Sequence, residues 1–463
     1  MSMQPLRTKA QSERRTVVAP VVVGAWMVSS VLVIWLWTSP SGGRLSLLLA
    51  LVSAVAAGVM IVGQTSPKVS SAASVLALAV AFTYVLRPLA LLDTEVTSYA
   101  RLLQRGALGG PMILAGLFCA TLATGVVVGM STRNRETPGG SLSPNPRLRA
   151  PLGVALVAGS LAVVGLLLSA QIAGVTMRFA YTQPTLFRSL VNDGGQFYVT
   201  GVSIALAWLP FWLALVLIPR DQSWRVPCIA LTFIFGAVLI FPYGQRSYYA
   251  APLLAMIAWR ERNVGAIKLR AIVPLTVLVI LGAGAYATFR VENTTVGDSA
   301  QVSARQSVTD FSGRFDSFDF FAQTYQTYDG RLWGRTLLDL ATQPVPRSLF
   351  PDKPSQTSAY LITLQQPETD RTFTPEYGIV TELWINAGTG GVILGGLFFG
   401  WLVGRMSVLA ERSMVNPRRA LMVLPFLTFP AQWLLGGINS FTTIVLILFG
   451  TIYVGIARFV VRR

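Results

Sequence analysis

Apolar residues in this chain come in long runs separated by polar stretches, without the regular polar alternation of half-buried helices and strands. A helix needs about 20 apolar residues to cross about 30 Å of hydrocarbon. At that length the runs predict twelve spans: 17–38, 45–63, 69–86, 109–131, 152–175, 199–218, 227–242, 247–259, 270–289, 379–404, 420–437 and 439–457. Run 247–259 is short, so the count is eleven if it is re-entrant. Arg14-Arg15 precedes a run of full membrane length, and a second run follows directly, so a first span is expected rather than a cleaved signal. The predicted fold is an all-α polytopic membrane protein.

The pattern divides the chain into a basic N-terminus (1–16), nine spans (17–289), one long polar segment (290–378), and three spans with a basic tail (379–463). The polar segment is too long for a structureless connection. Within Gly313–Gly330, Phe318, Phe321, Tyr325 and Tyr328 recur at helical spacing and predict a helix lying at the membrane interface. Trp333 to Ala341 reads as a second short helix, and four prolines between Gln343 and Pro354 impose a rigid extended turn. Thr137 to Pro146 is a Pro/Gly/Ser linker.

Composition narrows the function classes. Hydrophobic residues are 53% and charged residues 12%, which excludes a soluble multidomain enzyme. The formal charge of +17 is explained by orientation. With the N-terminus inside, the inner segments hold 22 of the 37 Lys and Arg and five of the 20 Asp and Glu, so they carry the whole excess. The outer side balances fifteen against fifteen, and both termini fall on the cytoplasmic side. A basic excess placed this way implies no nucleic-acid partner. The chain has no histidine, which removes His-based zinc sites, Ser-His-Asp triads and imidazole bases. Cys119 and Cys228 both lie in spans and read as packing residues. Acid–base chemistry therefore falls to carboxylates, Tyr or Lys, and no metal or cofactor is expected.

Two charged residues have unusual addresses. Arg246, in Pro242-Tyr-Gly-Gln-Arg-Ser-Tyr-Tyr249, stands between two spans joined by almost no loop. It reads either as a guanidinium facing a cavity, suited to phosphate, or as an interface Arg snorkelling between tyrosines. Glu382 lies one turn inside the span that starts near 379, and Asn386, four residues on, shares its face. An acid in a span points inward, either to work or to pair with an outer Arg such as Arg246.

Three elements then carry a resemblance: Gly244-Gln245-Arg246, the Pro344 to Pro354 run with its Pro-x-Pro-Arg-x-x-x-Pro-x-Lys-Pro pattern, and Glu-x-x-x-Asn-x-Gly-x-x-Gly from Glu382 to Gly391. In this order around one long outer loop they resemble the O-antigen polymerase (Wzy-type) and oligosaccharide repeat-unit polymerase families. The motifs cover about 150 residues, and the architecture nearly the whole chain. The resemblance implies a GT-C-like membrane glycosyltransferase in a bacterial plasma membrane. It would join polyprenyl-pyrophosphate-linked oligosaccharide repeat units at the outer face, without cofactor or metal, amid membrane lipids and beside a chain-length regulator and a flippase.

On that reading Arg246, Arg314, Arg347, Lys353 and Arg371 are the pyrophosphate and glycan set, joined by Tyr377 and Asn386. Glu382 and Glu376 rank above Asp316 and Asp319 as the base. Asp316 and Asp319 are read as solvated on an exposed helix. The chain departs from the resemblance in lacking a clear pair of Arg-x10-Gly motifs. An O-antigen ligase shares the layout but relies on a loop histidine. A carboxylate-dependent GT-C transferase places acids in its first outer loop, and here residues 38–44 have none. A transporter or flippase of lipid-linked sugars is the alternative of a different class.

Overall fold

The computed structural model describes residues 76, 79–80, 82–91, 100, 102–131, 151–193, 197–218, 222–243, 249, 252–253, 256–257, 316–336, 350, 361, 377–413, 421–423, 426, 429–437 and 450–458. Among these the regular structure is helical and there is no strand. A π-helical turn (Phe82–Leu86) runs into α1 (Arg87–Leu91). It is followed by α2 (Gly109–Ser131), α3 (Pro151–Ile172), α4 (Met177–Thr182), α5 (Pro184–Asp193), α6 (Phe197–Leu217) and α7 (Arg225–Ile240). The 3-10 turn Phe241–Tyr243 ends this stretch. Further on come α8 (Ser317–Thr327), α9 (Gly378–Ser413) and α10 (Phe429–Gly436).

Five of these segments are long and apolar enough to cross a membrane: Gly109–Ser131, Leu152–Ile172, Val199–Leu217, Arg225–Tyr243 and Gly378–Ala410. They match predicted spans to within a few residues at most ends, and the molecule is an all-α, multi-pass membrane protein on this evidence. Spans 17–38, 45–63 and 270–289 lie outside the described residues. Spans 69–86, 247–259, 420–437 and 439–457 are described only in part.

Two packed groups make up the described core. In the first, α2 and α9 cross with their backbones in near contact. A Cβ added to Gly125 would lie 2.2 Å from the Leu397 carbonyl, and one on Gly400 would lie 2.0 Å from that of Leu122. Gly125 and Gly129 on α2, with Gly396, Gly400 and Gly404 on α9, form the small-residue seam that lets membrane helices approach where water drives no association. Thr121 faces Gly396, Leu122 faces Gly400 and Val126 faces Gly404, so the two helices run in the same direction. α10 and α8 pack against the start of α9.

The second group is α3, α6 and α7. α3 and α6 run antiparallel, with Gly165 against Ser203 and Gly159 near Pro210. α7 returns along α6, placing Gly236 beside Trp208. Arg225, one of the arginines assigned to the inner side, is buried at 4% exposure, and its Nη2 donates to the Leu215 carbonyl at 2.8 Å. It therefore caps the end of α6. At the opposite end, Tyr181 donates to the Val238 carbonyl at 3.1 Å, and the Tyr243 hydroxyl lies 3.2 Å from Ser169 Oγ. Leu152, Leu156, Leu161 and Leu167 of α3, with Leu231 and Ile234 of α7, stand exposed as a surface suited to lipid.

Candidate functional site: a polar crown over the start of α9

The polar groups of the first group collect at one end, around the start of α9. α8 is the first component. Its aromatic stripe predicts a helix, and a helix forms, but not as an exposed interfacial one: Ser317 to Thr324 are all buried. The cause is Arg87. Its Nε donates to Asp319 Oδ1 at 2.9 Å and its Nη2 to Asp319 Oδ2 at 2.5 Å, with both side chains at 0% exposure. A two-pronged guanidinium–carboxylate pair offsets the cost of taking both charges out of water only in such geometry. Asp319 also sits in the first turn of α8, where a carboxylate meets the positive end of the helix dipole. Asp316, expected in solvent, is likewise buried.

The rest of α8 is fastened by amides. Gln323 Oε1 accepts from Leu102 N at 3.2 Å, and Gln326 Oε1 from Gln104 N at 2.8 Å. Gln326 Nε2 donates to the Gln104 and Ala107 carbonyls. An aromatic chain runs beneath: Tyr84 edges against Phe318, Phe318 against Phe321, Phe321 against Tyr325, and Tyr325 lies 5.3 Å from Trp384.

The second component is a strap over α9. Ala387 and Gly388 leave helical geometry, Gly388 with φ 60°, so α9 breaks there. A break frees carbonyls of the preceding turn, and Leu332 N donates to one of them, that of Ile385, at 2.8 Å. Asn386 Oδ1 accepts from Gly334 N at 2.9 Å, while Asn386 Nδ2 donates to Thr336 Oγ1 at 2.7 Å and to the Glu382 carbonyl at 2.6 Å. Arg331 rests with its guanidinium carbon 4.6 Å from the centre of the Trp384 ring, beside Gly388. At 3.6 residues per turn, Trp384 and Asn386 occupy different faces. The strap thus wraps α9 from one to the other. Its tip is Trp333-Gly334, closed by Arg335 N donating to the Leu332 carbonyl at 3.0 Å. The short helix expected from Trp333 begins after this turn, at Arg335. Trp333 has φ 47°, a conformation that costs a non-glycine residue of order 1–3 kcal/mol.

The third component is Glu382, at 6% exposure. Gly437, with φ 80°, ends α10 against it: a Cβ there would lie 2.8 Å from the Glu382 carboxyl carbon. Only glycine allows that approach in that conformation. Tyr377 lies just before α9, buried, with its ring 5.2 Å from that of Phe320. Burial raises its phenol above the ordinary tyrosine value, so Tyr377 is neutral at physiological pH.

Of the residues singled out in the sequence, Glu382 and Asn386 stand on the first turns of α9 with Tyr377 just before it, and Asp316 and Asp319 lie at the start of α8. Arg246, Arg314, Arg347, Lys353, Arg371 and Glu376 lie outside the described residues. Sequence reasoning passed over Arg87, Arg331 and Trp333. The available signals were a cation at the very end of a span, for Arg87, and a Trp-Gly pair, for Trp333. Among the described residues no three His, Cys, Asp or Glu side chains gather into a metal centre. No protein-family model, curated protein or solved structure matches the chain.

The arrangement offers a buried carboxyl, a guanidinium seated on an indole, and a polar strap of fixed shape at one end of a helix bundle. Glu382 stands on the Asn386 side of α9 and Arg331 on the Trp384 side, so the carboxyl and the guanidinium bracket the helix start.

Proposed function

We propose that the chain is a polysaccharide polymerase joining polyprenyl-pyrophosphate-linked oligosaccharide repeat units at the outer face of a bacterial plasma membrane. The observation that carries the reading is the crown itself: a segment of the long polar loop is locked by buried charges onto helix ends that also carry Glu382. Lipid-linked substrates present their sugars and pyrophosphate at that level.

In the proposed reaction the bond between the anomeric carbon of the donor glycan and its pyrophosphate oxygen breaks. A bond forms from that carbon to an acceptor hydroxyl on the next lipid-linked unit. The hydroxyl proton passes to a carboxylate, for which Glu382 is the first choice. The polyprenyl pyrophosphate leaves with the bonding electron pair, stabilised by guanidinium groups. Arg331 joins Arg246, Arg347 and Lys353 in that role.

Twelve spans with both termini inside fit the helix directions. α2 and α9 run parallel, and α3, α6 and α7 alternate in direction. A chain-length regulator and a flippase are the expected partners.

The test is genetic and chemical. Deleting the gene is expected to abolish high-mass polysaccharide and leave single lipid-linked repeats. Long unattached polymer would instead mark a ligase, and repeats trapped inside the cell a flippase. Glu382→Gln is expected to reproduce the deletion with the protein still in the membrane. Normal polymer from that variant would remove Glu382 from the chemistry.

A further inference from the structure

At 82% exposure Trp333 is the most exposed large hydrophobic side chain among the described residues, and the only non-glycine one there with a positive φ. Its ring is held out by a backbone that is held down. On one side Leu332 N is bound to the Ile385 carbonyl; on the other, Gly334 N and Thr336 Oγ1 are bound to Asn386. Exposed arginines flank it: Arg331, seated on Trp384, and Arg335.

An indole at the outer rim of a membrane protein has two ordinary uses, as a headgroup-level anchor or as a flat surface for a ligand. An anchor needs only apolar area at the right depth, and an unstrained loop supplies that. A platform must face one way. The strained turn and its hydrogen bonds to α9 on both sides fix direction, which favours the second use.

We infer that Trp333 is the stacking platform for a pyranose ring of the glycan, with Arg331 and Arg335 binding hydroxyl or anionic groups at the edge of that ring. One face of a pyranose presents C–H bonds with partial positive charge, complementary to the negative face of an indole. Guanidinium forks suit the oxygens around it. The inference rests on the polymerase reading and assigns sugar recognition to one segment of the outer loop.

The decisive variant is Trp333→Gly, because glycine suits the positive φ and removes the ring without adding strain. It is expected to keep the wild-type amount of membrane protein, to lower polymer yield at least tenfold and to enlarge the pool of single lipid-linked repeats. Trp333→Phe, which keeps a flat ring, is expected to restore most of the polymer. Wild-type polymer from Trp333→Gly, in a strain where gene deletion abolishes it, would overturn the platform and leave the polymerase reading intact. If deletion itself leaves polymer unchanged, both fall. In bilayers of brominated phosphatidylcholine, the wild-type minus Trp333→Phe fluorescence is expected to be unquenched. Quenching would place the ring in lipid and make it an anchor.

Discussion

The crown around the start of α9 and the bundle of α3, α6 and α7 belong to one molecule and are held by different forces. In the bundle, Trp208 packs against Phe211, Phe233 and Tyr249, and Trp212 against Phe211, with ring centres 5.2–6.0 Å apart. Its polar contacts are hydroxyls returned to their own helix, as Ser203 to Val199 and Thr232 to Cys228, and single ties to a neighbouring carbonyl or hydroxyl, as Tyr181 to Val238 and Tyr243 to Ser169. The crown instead joins distant parts of the chain through ions and amides, Arg87 to Asp319 and Leu102 to Gln323. Shape filling tolerates substitution by degrees. A buried ion pair does not, because removing one member leaves the other charge buried without its opposite.

Removing one member of that pair should therefore have the largest effect. Arg87→Ala or Asp319→Ala is expected to destabilise the protein by about 3–5 kcal/mol. The measurement is the folded fraction against temperature in detergent, by size-exclusion with fluorescence detection. Arg87→Met with Asp319→Leu, which replaces charge by volume, should recover most of the loss. If the single variants cost under about 1 kcal/mol, the crown is held by shape like the bundle.

A smaller effect is expected in the bundle. Trp208 Nε1 has no hydrogen-bond partner among the described residues, so Trp208→Phe loses ring volume and removes an orphan donor together. The same melting assay should show a loss of about 1 kcal/mol. A loss as large as that of Arg87→Ala would erase the contrast between the two regions.

The smallest effect concerns pH. Burial raises the folded-state phenol of Tyr377 above its unfolded value. Its contribution to stability is thus fully present below about pH 10 and is lost as pH rises above that. Between pH 6 and 9 wild type and Tyr377→Phe should melt alike. Above pH 10 the wild type should lose stability faster, and parallel curves there would show that the phenol is not buried in solution.

How far the chain could be read follows from the same contrast. Helices such as 109–131 and 199–218 announce themselves because span length and apolarity are local properties. Local periodicity also predicts α8, but an aromatic stripe looks the same whether lipid or protein covers it. What decided the matter was a guanidinium, that of Arg87, 232 residues from Asp319 in sequence. Glu382 and Asn386 were legible as an inward face from their spacing. The break after Ala387 was hidden in a glycine-rich run that also serves close packing against α2, so glycine there had two explanations. Trp333 was hidden for the opposite reason: its backbone conformation arises from hydrogen bonds to α9, not from its own preference.

The glycine seam between α2 and α9 bears on how the protein is made. Gly125 and Gly400 meet across about 275 residues of sequence. At about 5–20 residues per second, tens of seconds of synthesis separate the emergence of the two helices. Through that interval α2 is made without α9, and an early stop leaves it without its mate. Quality control that recognises an unfilled seam would therefore sense whether translation reached α9, so a late part of the chain governs survival of an early one.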